Sequence, residues 1–195
     1  MSEPLNIAIE TSGRAGSIAV GRGSTLLGEA SFSGFMRHSA ELFSVLSELL
    51  EEAGDSPIQI ENCYITAGPG SFTGLRIAVT VAKMLSFTHG TRIIAADTMD
   101  VLAENTRISP DPDNASPDCV ATILDAKKNL FYAAVFDRVE AGWKKCLPTQ
   151  IVTAEQLLGW LKEHQKHTVG LLGEGLVYYA DAFRSPSTTL LDQST

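Results

Sequence analysis

The chain has 195 residues, 44% of them hydrophobic, which suits one large or two small globular domains and excludes a disordered chain. A net charge of -8 without a Lys/Arg cluster argues against direct capture of a nucleic-acid backbone, because that binding draws on counterion release by many cations. Three widely spaced cysteines (Cys63, Cys119 and Cys146) exclude a disulfide framework or a zinc ribbon; no apolar run reaches the ~20 residues of a membrane span and the N-terminus has no signal-peptide pattern, so a soluble cytoplasmic protein is expected.

Residues 5–9, 17–20 and 25–32 read as three strands joined by short polar turns, an antiparallel meander. The first turn offers Glu10, Thr11 and Ser12. A helix is expected over 38–53, with Leu42, Val45, Leu46, Leu49 and Ala53 at core spacing and Gly54 just past its end. Phe43 and Leu50 extend its apolar surface to a second side. A strand over 63–67 follows, then the glycine turn Gly68-Pro69-Gly70-Ser71-Phe72-Thr73, then a helix over 74–88.

That helix is apolar nearly all round. Ile77, Val81, Met84 and Leu85 form one stripe, Leu75, Val79, Ala82 and Ser86 lie on another side, and Lys83 is the one strongly polar residue of its body. A surface helix needs one apolar stripe, so two suggest cover on both sides, from this chain or another. The turn before it supports two readings. Gly68 and Gly70 permit positive φ, Thr73 can cap the helix, and Ser71, Thr73 and Arg76 stand where the first-turn amides would meet an anion. A turn that merely packs strand onto helix is the other reading. A P-loop is excluded, since no Gly-Lys-Ser/Thr ending occurs.

A strand over 92–96 and a short helix capped by Asp97 or Thr98 complete a first half, 1–108. Residues 109–117, rich in Pro and Asp, read as a linker. The second half, 118–195, repeats the order: strands over 120–124 and 130–136 around an Asp125–Asn129 turn, a third over 146–152, a helix over 154–166, a strand over 169–172, the turn Gly173-Glu174-Gly175, and a helix over 176–183. A doubled β-β-β-α-β-α unit implies an α/β fold of two ribonuclease-H-like lobes, as in the actin/hexokinase (ASKHA) superfamily.

Ile7-Ala8-Ile9-Glu10-Thr11-Ser12, His38-Ser39-Ala40-Glu41-Leu42 and Gly68-Pro69-Gly70-Ser71-Phe72-Thr73-Gly74-Leu75-Arg76-Ile77 resemble the TsaB (YeaZ) family, and Asp125-Ala126-Lys127-Lys128 with Phe131-Tyr132 resembles its second-lobe hairpin. The resemblance implies a non-catalytic subunit in making N6-threonylcarbamoyladenosine at position 37 of tRNA. It implies pairing with the transferase TsaD through first-lobe helices, with the ATPase TsaE joining and tRNA held mainly by others. The partner interface is then expected on Leu42, Leu46, Leu49, Leu50, Leu75, Val79, Ala82 and Ser86, with a homodimer through the same helices in isolation. No cofactor of its own is expected. ATP or ADP would lie at the interface with TsaD, and Glu10, Thr11, Ser12, Gly68, Gly70, Ser71, Thr73 and Arg76 are the residues that could touch phosphate. The family commonly has Asp where this chain has Glu10, and Gly-Asp-Gly where it has Gly173-Glu174-Gly175; the second lobe, ending at Thr195, is expected to be shortened.

No metal site is expected. His38 stands alone, and His164 and His167 share a helix end without a carboxylate partner; no His-Glu-x-x-His and no Gly-x-Ser-x-Gly occurs. The competing reading is a cleft enzyme, a nucleotide hydrolase or a glycoprotease-like peptidase, working through Glu10 and Ser71.

Overall fold

A computed structural model describes residues 3–33, 38–108, 117–140 and 142–191. The chain forms two compact units, Met1–Thr98 and Met99–Thr195. The expected linker over 109–117 falls outside the described residues except for Pro117.

The first unit holds strands β1 (Leu5–Glu10), β2 (Ala15–Arg22), β3 (Thr25–Ser33), β4 (Ile60–Thr66) and β5 (Arg92–Ala96), with helices α1 (His38–Glu52) and α2 (Phe72–His89). Its sheet runs β3-β2-β1-β4-β5. The meander β1-β2-β3 is antiparallel, while β4 and β5 continue parallel to β1. Alternation places the strands: Leu5, Ile7 and Ile9 are buried while Ala8 is exposed. One face of the sheet packs on α1 and α2, joining Ile7, Ile9, Ile18, Val20, Cys63 and Ile65 to Leu42, Leu46, Leu49, Leu50, Ala78, Val81, Ala82 and Leu85. Arg22 at the end of β2 makes two bonds, 2.5 and 2.6 Å, to the carboxylate of Asp55 just beyond α1, and so pins that helix end to the sheet.

The second unit repeats the plan with β6 (Cys119–Asp125), β7 (Phe131–Val139), β8 (Gly142–Val152), α4 (Ala154–Glu163), β9 (Val169–Leu172), α5 (Leu176–Tyr179), a 3-10 turn over Ala180–Phe183, and β10 (Thr188–Leu190). Its order, β10-β9-β6-β7-β8, is that of the first sheet read in reverse. β10 has only three residues, and its sequence carries no strand period; its parallel pairing with β9 is a tertiary choice. Residues Cys119 to Leu124 of β6 are all buried because both faces of this sheet are covered. One face packs on Leu157 and Leu161 of α4. The other packs on Met99 and Ala103 of helix α3 (Thr98–Ile108), which therefore belongs with the second unit rather than with the first half that the sequence suggested.

Candidate functional site

The glycine turn sits against the β1–β2 turn, and its parts are used up by that contact. Ser71, not Thr73, caps α2: its Oγ accepts from Gly74 N at 3.3 Å. Helix and turn are locked from below, as Ser71 N donates to Ser12 O at 2.7 Å and Thr11 Oγ1 donates to Gly74 O at 2.7 Å. A Cβ on Gly70 would lie 2.5 Å from the Cβ and 2.8 Å from the carbonyl oxygen of Ser12. One on Gly74 would lie 2.8 Å from the carbonyl carbon of Thr11 and nearer still to its oxygen. Both glycines are therefore required for backbone to approach backbone.

The residues expected to touch phosphate thus come together, but around their own chain. Thr11 and Ser12 are buried. Glu10 accepts a hydrogen bond from Ser12 N. Gly68, with φ of 107°, accepts from Thr98 N at 3.0 Å. Thr73 and Arg76 are exposed, and the Arg76 guanidinium lies 5.3 Å from the Phe72 ring centroid. Beside Gly70 and Gly74, where a side chain would stand, the backbone of Ser12 and Thr11 already fills the space, so close packing of turn on turn is enough to require both glycines. The second unit does the same: a Cβ on Gly175 would lie 3.0 Å from Ile123 O and 3.2 Å from Asp125 N.

The helices expected to meet a partner place their residues differently from the expectation. Leu42, Leu46, Leu49, Leu50 and Ala82 are buried in the unit's own core, at 0–8% exposure. Leu75, Val79 and Ser86 are half-buried. The apolar surface left over belongs to Phe43, Phe72, Met84 and Phe87, at 46%, 75%, 42% and 92% exposure. Between α1 and α2 runs a mostly apolar groove of about 350 Å³, lined by Leu42, Phe43, Thr73, Arg76, Ile77, Thr80, Val81 and Met84. The sequence held the signal. Arg76 and Lys83 mark the outward side of α2, and Phe72, Thr80 and Phe87 share it at helical spacing. Counting apolar residues pointed to the stripe that the sheet covers.

Chemistry-bearing groups elsewhere are held in structural roles. Burial pushes the Cys63 thiol up to about 11. Burial and then the charge of Asp137 push Cys119 up to about 12. Cys146 is raised by burial first. His164 Nδ1 lies 2.9 Å from Trp160 O, and its ring stacks on Trp160 at 4.0 Å. The side chain of His38 lies outside the described residues. Among the described residues no group of three or more His, Cys, Asp or Glu converges, and no helix is long and apolar enough to cross a membrane.

Comparison with known proteins bears on this geometry. Residues 33–192 match the family model described as TsaD, tRNA N6-adenosine threonylcarbamoyltransferase. The tRNA threonylcarbamoyladenosine biosynthesis protein TsaB of Bacillus subtilis (strain 168) is 28% identical over 160 residues, which is 82% of this chain and 67% of that protein. YeaZ from Pseudomonas aeruginosa superposes with a TM-score of 0.81 at 22% identity, over 98% of this chain and 85% of that one. The ROK hexokinase of Thermus thermophilus gives 0.50 at 11% identity, over 97% and 93%. The two structures share the fold, an α/β arrangement of two five-stranded mixed sheets with helices. With the family model spanning well over half of its length, the chain belongs to the TsaD-type family, in its TsaB (YeaZ) branch.

Proposed function

We propose that this chain serves tRNA N6-threonylcarbamoyladenosine biosynthesis as a TsaB-type subunit, pairing with and activating a TsaD-type transferase while running no reaction of its own. Family membership carries this reading. The exposed apolar strip on α1 and α2 supports it, since Phe43, Met84 and Phe87 need cover that the described residues do not supply. The turn that an enzyme would use supports it too: Ser71 Oγ caps a helix and the glycines are closed by backbone. The net charge of -8 suits a member that leaves tRNA to its partners. Any ATP or ADP would be held jointly with the transferase rather than in the glycine turn. A TsaE-type ATPase is the third member, the setting is the cytoplasm, and weak self-association through α1 and α2 occurs when the transferase is absent.

Reconstitution tests this directly. The transferase, the ATPase and the adenylate-forming enzyme are assayed for modified adenosine with and without this chain. Strong dependence on the chain is expected; equal yield without it would reject the reading. Phosphate release or peptide cleavage by the purified chain alone, lost in Glu10→Ala, would instead favour a cleft enzyme.

A further inference from the structure

The sheet of the first unit ends in an edge that nothing blunts. At the end of β5, Ala67 N donates to Ala96 O at 2.8 Å and Thr98 N donates to Gly68 O at 3.0 Å, so these residues turn their backbone groups toward the β4 side. Alternation along the strand then turns the N–H and C=O of Ile93 and Ala95 outward, and both residues are exposed. Among the described residues no strand pairs with that side of β5. The other sheet edges carry devices that discourage pairing. β8 has Lys144, Lys145 and Pro148. β10 has only three residues. β3 leaves Leu27 out of register with β2 and carries Glu29 at mid-strand. β5 has no lysine, proline, acidic residue or register shift. A groove of about 710 Å³ straddles this edge, with Ser86 of α2 on one side, Asn62 and Tyr64 of β4 on the other, and Arg92, Ile93 and Ile94 between them. Arg92 opens the strand, is exposed, and shares the face of its register partner Asn62. Among the described residues its guanidinium has no ion pair or hydrogen bond.

We propose that β5 takes one further strand from another protein: a short extended segment, apolar on the face it shares with Ile93 and bearing a carboxylate on the face it shares with Arg92. Main-chain bonds to Ile93 and Ala95 supply the attachment. The unpaired cation selects an acidic segment, in a chain whose net charge of -8 repels one elsewhere. This goes beyond the reading above and stands on β5 alone, so failure of the reconstitution assay would leave it untouched. The probes are three synthetic heptapeptides: one of alternating Val and Glu, one of alternating Val and Lys, and the first with its backbone nitrogens methylated. Amide hydrogen exchange at Ile93 and Ala95 is followed by NMR in the full chain, in Arg92→Glu, and in Lys162→Glu, which makes the same charge change at an exposed position of α4. The acidic peptide should slow exchange at both amides by about tenfold at ten times its Kd. It should bind about fivefold more tightly than the basic one, the ratio a solvated charge pair gives when attraction replaces repulsion. Arg92→Glu should reverse that preference and Lys162→Glu should keep it. The methylated peptide should protect neither amide. Protection that is absent with the acidic peptide, equal for both charges, unmoved by Arg92→Glu or retained after methylation would overturn the proposal. So would protection that rises with protein concentration alone, which would assign the edge to a second copy of this chain.

Discussion

Gly74→Ala isolates what the glycine turn is for. Inside a helix, Ala is ordinarily favoured over Gly by about 1 kcal/mol. Gly74 opens α2, where the added Cβ would lie 2.8 Å from the Thr11 carbonyl carbon and closer to its oxygen. Both neighbours are backbone, so neither can rotate away. The helix must lift, and the 2.7 Å bond from Thr11 Oγ1 to Gly74 O is lost from a fully buried threonine. Overpacking costs about 1–3 kcal/mol, and an orphaned buried hydroxyl adds about 1–3 kcal/mol. After the helix-propensity gain, a net loss of about 1–5 kcal/mol is expected, and its centre of about 3 kcal/mol corresponds to a fall in melting temperature of roughly 6–12 °C. The internal standard is Gly159→Ala in α4, where an added Cβ meets nothing within 4 Å. That variant should gain up to about 1 kcal/mol. Urea titration of both against wild type gives the comparison. If Gly74→Ala is as stable as Gly159→Ala, the turn has room beside Gly74 and the Thr11 backbone is not what requires a glycine there.

Asp55→Ala strips Arg22 of its partner; because Arg22 is partly solvated, about 2 kcal/mol of stability should be lost in urea, and a loss within error of zero would show the clip to be ornamental. Phe43→Ser and Phe87→Ser should weaken transferase binding by about tenfold each with little change in melting temperature, whereas Leu46→Asp should unfold the first unit, since Leu46 is only 4% exposed; a stable, binding-defective Leu46→Asp protein would return the interface to the buried stripe. The raised thiols give a pH signature. Cys63 and Cys119 hold their protons to about 11 and about 12, against an ordinary 9.0, so above pH 9 the unfolded chain releases protons that the folded chain keeps. The thiols' contribution should therefore be constant below pH 8 and stability should fall as pH rises from 9 toward 12, less steeply in Cys119→Ala; a flat profile from pH 9 through pH 11 contradicts the burial account. At pH 8 a thiol reagent should label Cys146 before the two buried cysteines, because Cys146 alone is half-exposed; labelling in the reverse order would contradict their burial.

Much of this protein is written in its residue order. Alternation over Leu5–Glu10, the helical stripe of α1 and the turn chemistry between strands placed nearly every element, because each depends on local period alone. The run from Gly68 to Ile77 is specific enough by itself to carry the family resemblance. Period does not say which side of an apolar helix is turned to the sheet. Leu42, Leu46 and Ala82 fit a buried stripe and an interface equally well, and the position of β4 and β1 beneath them decided for the core. Tertiary contact likewise gave the glycines their meaning. The sequence allows Gly68 and Gly70 any φ, yet among them only Gly68 takes a positive one, and it is Thr11 and Ser12, about sixty residues away in sequence, that lie against Gly74 and Gly70. The same holds for α3, whose apolar residues Met99 and Ala103 could have joined either half and joined the sheet of the second, and for β10, three residues without a strand signal that pair only because β9 offers an open edge.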